Sequence, residues 1–298
     1  MPIGYPAFSL DLLIRLFRLL TVVACVVACG ESAVEAEPTS EAEPAYRYWD
    51  TGGYPVAVLV EGLYAYVVHA STAYGPGFVT RNGPDGNVVD TLVRDVSGLR
   101  DACVVADLLY VTNDDGVASY ALVDGVQRAT YPLSGSAGIC GGLDGGVYVS
   151  THPTGEIWRV GPDTTPVIIA RDLGGSVGMG YDESTRSLYA TTEADPDGMN
   201  GVRVLIGSSS PAVRLAGLAG TFAGLVAREG LLFLTESKSG DESINRMVLY
   251  RPADSTILVA RPLPGAAGEV GLLGGDLLLV PIPSQGRVYI MRLSIPEQ

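Results

Sequence analysis

Positive charge is scarce in this chain: 19 Lys and Arg stand against 33 Asp and Glu, for a formal charge of −14 and a pI near 4.5. Phosphate backbones would be repelled by such a surface, which excludes nucleic acid as a partner. Histidines number only two, and no Ser/His/Asp order, nucleophile elbow or paired metalloprotease histidine is found. Glycine-rich stretches do not precede helical patterns, which argues against a phosphate cradle. Long apolar runs are also missing. The candidate segment, residues 19–28, is ten residues long. At a rise of about 1.5 Å per residue it covers roughly half a hydrocarbon core, too little for a permanent transmembrane helix.

What the chain has in quantity is glycine (38), proline (19) and 47% hydrophobic residues over 298 positions. That mixture suits many short strands joined by tight turns, in one large repetitive all-β domain. Ahead of it, Arg15 and Arg18 precede the apolar run Leu19-Leu-Thr-Val-Val-Ala-Cys-Val-Val-Ala28, the layout of a cleaved signal peptide over residues 1–28. Val26-Val27-Ala28-Cys29-Gly30 resembles the lipobox of bacterial lipoproteins, in which a cysteine receives diacylglycerol before the peptide is cut. Cys29 is the matching residue; an overlapping match ends at Cys25, but there the apolar run continues. An Asp after that cysteine retains family members in the inner membrane. Gly30 stands in its place, so the resemblance implies an exported protein lipid-anchored in the cell envelope, at the outer membrane of a diderm. Residues 29–45 carry glutamates at 31, 35, 37, 41 and 43 and neither Lys nor Arg. Such a segment cannot bury enough apolar surface to order itself and is expected to be a disordered acidic tether.

Residues 46–298 repeat. Gly53, Gly98, Gly135, Gly175, Gly220 and Gly265 open similar units at intervals of 45, 37, 40, 45 and 45 residues, the range of propeller blades. Each unit has a small-residue run and then an apolar-aromatic pair: Leu63-Tyr64, Leu109-Tyr110, Val147-Tyr148, Leu188-Tyr189, Leu232-Phe233 and Leu277-Leu278. A third and usually a fourth run follow. Four runs per unit predict a six-bladed β-propeller of four-stranded antiparallel blades. The sixth unit has room for only three strands, so Tyr46-Arg-Tyr-Trp49 is expected to supply the missing one and close the ring.

The third unit, Gly138-Ile-Cys-Gly-Gly-Leu-Asp-Gly-Gly-Val-Tyr-Val-Ser-Thr followed by Gly155-Glu-Ile-Trp-Arg-Val, resembles the propellers grouped with NHL repeats and SMP-30/gluconolactonase-like proteins. In the lactonase branch a divalent metal sits at the top of the channel, held by an acidic residue that opens an early blade and by Asn and Asp side chains. This chain lacks the Glu-Gly-Pro opening of that branch.

Loops after the second strand and before the first strand of a blade surround one channel mouth, where ligand sites gather. Around that mouth the repeat places His69, Asn113, Asp114, His152, Glu193, Glu236 and Ser284, joined by Asp101 and Glu269 from the first strands. Such side chains suit a polar small molecule or a divalent cation. The alternative is solvated loop residues, with Asn113-Asp-Asp-Gly116 a hairpin turn. Cys103 and Cys140 each lie five residues beyond a unit glycine, at equivalent places on adjacent inner strands; a disulfide and two buried thiols both remain open. No cofactor is identified. The expected function is a membrane-anchored, non-catalytic binding scaffold for an envelope protein, a glycan or a small polar ligand. The alternatives are a metal-dependent hydrolase of the lactonase kind, with its metal near Glu269, Asp101 or Asn113, and a structural spacer.

Overall fold

The computed structural model describes residues 47–72, 75–142, 145–162, 164–192, 201–206, 220–238, 241, 244–274 and 277–293. The expected signal peptide, Cys29, the acidic tether and Glu193 lie outside the described residues.

The described strands form six antiparallel sheets, five built from neighbours in sequence and the sixth completed by the first strand. Blade 1 holds β2 (Pro55–Glu61), β3 (Tyr64–His69), β4 (Gly77–Asn82) and β5 (Val88–Val96). Blade 2 holds β6 (Ala102–Val105), β7 (Leu108–Asn113), β8 (Gly116–Ala121) and β9 (Gln127–Tyr131). Blade 3 holds β10 (Ser136–Gly141), β11 (Val147–Thr151), β12 (Ile157–Val160) and β13 (Val167–Ala170). Sheet 4 holds β14 (Ser176–Asp182), β15 (Ser187–Thr192) and β16 (Gly201–Ile206). Blade 5 holds β17 (Thr221–Arg228), β18 (Leu231–Ser237), β19 (Arg246–Arg251) and β20 (Thr256–Pro262). The last blade holds β21 (Gly271–Leu273), β22 (Leu277–Ile282), β23 (Arg287–Arg292) and, from the other end of the chain, β1 (Arg47–Asp50).

The expectation of six four-stranded blades is therefore corrected to five, with a three-stranded sheet between blades 3 and 5. Residues 207–219, which follow β16, lie outside the described residues.

The first strand of each sheet is innermost, and the six stand side by side around an axis. The outer strands fan away, which is the architecture of a β-propeller. The sequence explains the taper. Inner strands are crowded: a Cβ on Gly268 would fall on the Val56 carbonyl, and one on Gly224 would lie 2.6 Å from the Gly268 oxygen. Middle strands are buried on both faces, as in β7, β8 and β18. Their large side chains Tyr110, Phe233, Tyr250, Leu109 and Leu234 fill the wedges between blades. In blade 1 the expected pair Leu63-Tyr64 is exposed (47% and 38%), and Tyr66-Val67 is buried instead. The longer β2 shifts the pairing outward, so that Val58 stands opposite Val67 and Leu59 opposite Tyr66.

β1 pairs with β23 from Arg47↔Ile290 to Asp50↔Arg287. Arg287 donates to Asp50 at 2.9 Å and stacks 4.0 Å from the Tyr48 ring. Trp49 covers Gly86, whose φ of +80° and lack of Cβ leave room for the indole. The first described strand thus completes the last blade.

Candidate functional site

The inner strands enclose a channel cavity of about 230 Å³, lined among others by Leu59, Asp101, Cys103, Ile139, Cys140, Met179, Leu225 and Glu269. Apolar walls surround three carboxyls, those of Glu61, Asp101 and Glu269, and two thiols.

Asp101 precedes β6 and is 4% exposed. Its Oδ1 accepts from the Ala102 N–H at 2.7 Å, and its Oδ2 accepts from the Ile139 N–H of blade 3 at 2.8 Å. Glu269 reaches the other way around the ring: its Oε1 accepts from the Leu225 N–H of blade 5 at 2.6 Å. Its own backbone bonds both ways with blade 1, through Val56 O at 2.9 Å and Val58 N at 3.1 Å. Hydroxyls from second strands continue the pattern: Thr112 donates to Ala137 O (2.7 Å), Thr191 to Phe222 O (3.3 Å) and Thr235 to Gly268 O (3.1 Å). Polar side chains of the inner wall therefore stitch blade 2 to blade 3, sheet 4 to blade 5, and blade 5 to the last blade.

Burial governs the protonation of the cavity groups. It pushes Asp101 up to about 7, against the pull of the Ile139 and Ala102 amides. Burial, and next the negative charge of Asp101, raise Glu269 well above the usual carboxylate range. Cys103 is raised by burial and then by Cys140 and Asp101; Cys140 by burial and then by Asp101 and Glu269. Neither cysteine is bridged in this structure. Burial thus disfavours the charged form of every one of these groups.

Of the remaining candidates, His69 is fully buried at the end of β3, stacked on Phe78 with ring centres 4.3 Å apart, and neither ring nitrogen has a hydrogen-bond partner. It belongs to the interior of blade 1. Glu236 is 1% exposed, paired with Arg246 at 2.6 Å and accepting from the Gly220 N–H at 2.7 Å, a closure of the β17 entrance. Asn113 caps the β7–β8 turn by accepting from the Asp115 N–H at 2.9 Å. Asp114 is exposed and pairs with Arg100 at 2.7 Å. His152 is exposed beyond β11, and Ser284 lies in a short 3-10 turn. Asp101 and Glu269 are the two that the fold brings into electrostatic contact.

The two thiols complete that group. Their equivalent places on adjacent inner strands were visible in the sequence, which left a bridge and two buried thiols open.

No protein-family model matches the chain, and no curated protein matches it. Solved structures do. A gluconolactonase from Xanthomonas campestris aligns with TM-score 0.67 and 14% identity over 89% of this chain and 99% of that one. A chain of the nidogen/laminin complex aligns at 0.59 and 16% identity over 69% and 79%, respectively. A catalytically inactive virginiamycin B lyase from Staphylococcus aureus, solved with quinupristin, aligns at 0.57 and 13% over 85% and 89%. The fold is a β-propeller. At these identities the likeness is one of fold, and it reaches enzymes and interaction modules alike.

The propeller's own chemistry therefore has to be read from its wall. A divalent cation would need ionised carboxylates or thiolates with free lone pairs. Asp101 and Glu269 instead spend oxygens on neighbouring blades, and burial disfavours their charged forms. Among the described residues no three His, Cys, Asp or Glu side chains are set to hold a metal ion, so this donor set does not fit the metal that the lactonase resemblance implies.

Proposed function

We propose that the chain is an envelope lipoprotein, anchored through Cys29 at the outer membrane, whose β-propeller is a rigid, non-catalytic binding scaffold. The observation that carries the reading is the use of the channel side chains: Asp101 and Glu269 tie blades together rather than converging with free oxygens on a substrate position. The ligand or partner would be an envelope protein, a glycan or a small polar molecule, in keeping with the acidic surface. Pull-down of the acylated chain from detergent-solubilised envelope tests it, with a stoichiometric partner or ligand as the expected result. Recovery of none, together with no turnover, would reduce the protein to a spacer.

A hydrolytic reading draws support from one observation. Asp101 is pushed up to about 7 beside a cavity, a value suited to general acid–base work near neutral pH. Screening lactones and esters at pH 7, with and without divalent metals, separates the readings. Turnover abolished by Asp101→Asn in a normally folded protein would favour the hydrolase.

A further inference from the structure

Exposed apolar side chains gather on one rim of blades 1 and 2. Leu63 and Tyr64 stand at the β2–β3 turn, Val88 and Val89 begin β5, and Val123 and Val126 flank the β8–β9 turn; exposure runs from 38% for Tyr64 to 85% for Val123. First and third strands of an antiparallel blade run the same way, so the ends of β2, β4 and β8 share one face. Arg81 connects these places: it lies 5.1 Å from the centre of the Tyr64 ring, pairs with Asp90 of β5, and donates to Leu122 O at 3.3 Å. The patch is therefore continuous rather than scattered, the pattern expected of an interaction surface. Beside the pairs Arg81–Asp90 and Arg128–Asp124 at 2.8 Å, the exposed acids Glu61, Asp85 and Asp107 stand at the β2–β3, β4–β5 and β6–β7 turns. This acidic excess repels anionic headgroups and leaves a zwitterionic surface as the lipid that suits the rim.

The chain preceding β1 emerges beside this rim. β1 leads upward into Gly53 and β2, so Arg47 lies at the opposite end, on the face of the patch, and Trp49 packs on Gly86 of the β4–β5 turn. Cys29 stands 18 residues before Arg47. At roughly 3.3–3.6 Å per extended residue, a bilayer holding Cys29 is within about 60 Å of the rim and free to meet it.

We propose that this rim of blades 1 and 2 rests on the lipid surface, with Val88, Val89 and Val123 seated among zwitterionic headgroups. The inference rests on the reading of Cys29 as the lipidated residue and adds an orientation: the patch faces the bilayer and the opposite channel mouth faces away.

The acylated full chain on phosphatidylcholine vesicles provides the test, with co-sedimentation reading the anchor and hydrogen–deuterium exchange of residues 86–90 and 122–127 reading the rim. The expected result is a sedimenting chain whose rim amides exchange several-fold more slowly than those of a Val88→Glu/Val123→Glu variant, which still sediments. Val123→Glu alone, at a position 85% exposed, gives the same comparison without risk to folding. Sedimentation with equal exchange in parent and variants overturns the rim contact and leaves the anchor standing. A chain that stays in the supernatant overturns the anchor and this proposal with it. Slowing by an envelope protein extract but not by vesicles assigns the rim to a protein partner and likewise overturns the proposal.

Discussion

Asp101 and Asp182 sit at opposite ends of the inner ring and do the same structural work with opposite electrostatic outcomes. Each carboxyl is nearly inaccessible, at 4% and 1% exposure, and each accepts from the backbone of the next blade. Asp101 has two amide donors, and burial wins, lifting it to about 7. Asp182 is also pushed up by burial. It is outweighed by the Gly230 N–H at 2.6 Å, the Glu229 N–H at 3.2 Å, and the Ser184 N–H and hydroxyl at 2.9 and 2.8 Å, which hold it below the usual range. Depth and donor number act together: Asp101 is deeply desolvated with few donors, whereas Asp182, less desolvated at the other end of the ring, has more.

The comparison presumes a closed ring, so the harshest way to break it is to open the ring. Deleting β1, residues 47–50, exposes the β23 edge and removes Trp49, a loss on the order of 4 kcal/mol or more. Scanning calorimetry should show the melting temperature falling by about 10 °C or more; an unchanged curve would mean that closure contributes nothing. Next in size is Asp182→Ala, which leaves the turn amides of blade 5 without an acceptor and should cost about 2–4 kcal/mol at pH 7. Because its folded pKa is depressed, the aspartate's contribution is present above the unfolded value of 3.8 and fades as pH falls through the lower folded value. The variant's deficit should therefore shrink in acid, which urea melts at pH 7 and pH 3 would measure.

Asp101→Asn sharpens the contrast. The unfolded carboxyl ionises from 3.8 upward while the folded one keeps its proton to about 7, so wild-type stability declines as pH rises through that interval, by up to about 1.4 kcal/mol per unit. Denaturant melts of the variant between pH 4 and 7 should show a shallower decline, Glu269 keeping its own share, and an identical slope would dismiss the raised value. Glu269→Gln should behave in the same direction. The smallest effect is expected from His69→Phe. Burial lowers this histidine from 6.5 to about 4, so it costs stability progressively as pH falls between those values, and its unbonded nitrogens cost about 1 kcal/mol even when neutral. The substitution should stabilise modestly at pH 7 and more at pH 5.

Much of the architecture could be read from residue order alone. The unit glycines mark the sheets because inner strands tolerate little beyond Gly, Ala and Val, and Tyr46-Arg-Tyr-Trp49 stood out because the last unit was one strand short; β1 (Arg47–Asp50) fills that place. His69 was harder to read. β3 is buried on both faces, so alternation carries no information about which side chains reach the mouth. Glu236 looked like a loop acid, and only the Arg246 partner ten residues on reveals a sealed ion pair. The Asp101–Glu269 coupling joins blades 2 and 6, a relation set by the curvature of the ring rather than by any spacing along the chain.

Closure by β1 also fixes an order of events. The earliest strand of the fold has its ladder partner more than 230 residues later, as the Thr51 bond to Gly286 shows. During synthesis or translocation β1 must wait, unpaired, until β23 arrives. The loop-entropy penalty of that meeting is deferred to the final step. The ring latches last, and a chain cut short anywhere before β23 leaves its opening strand without a place to dock.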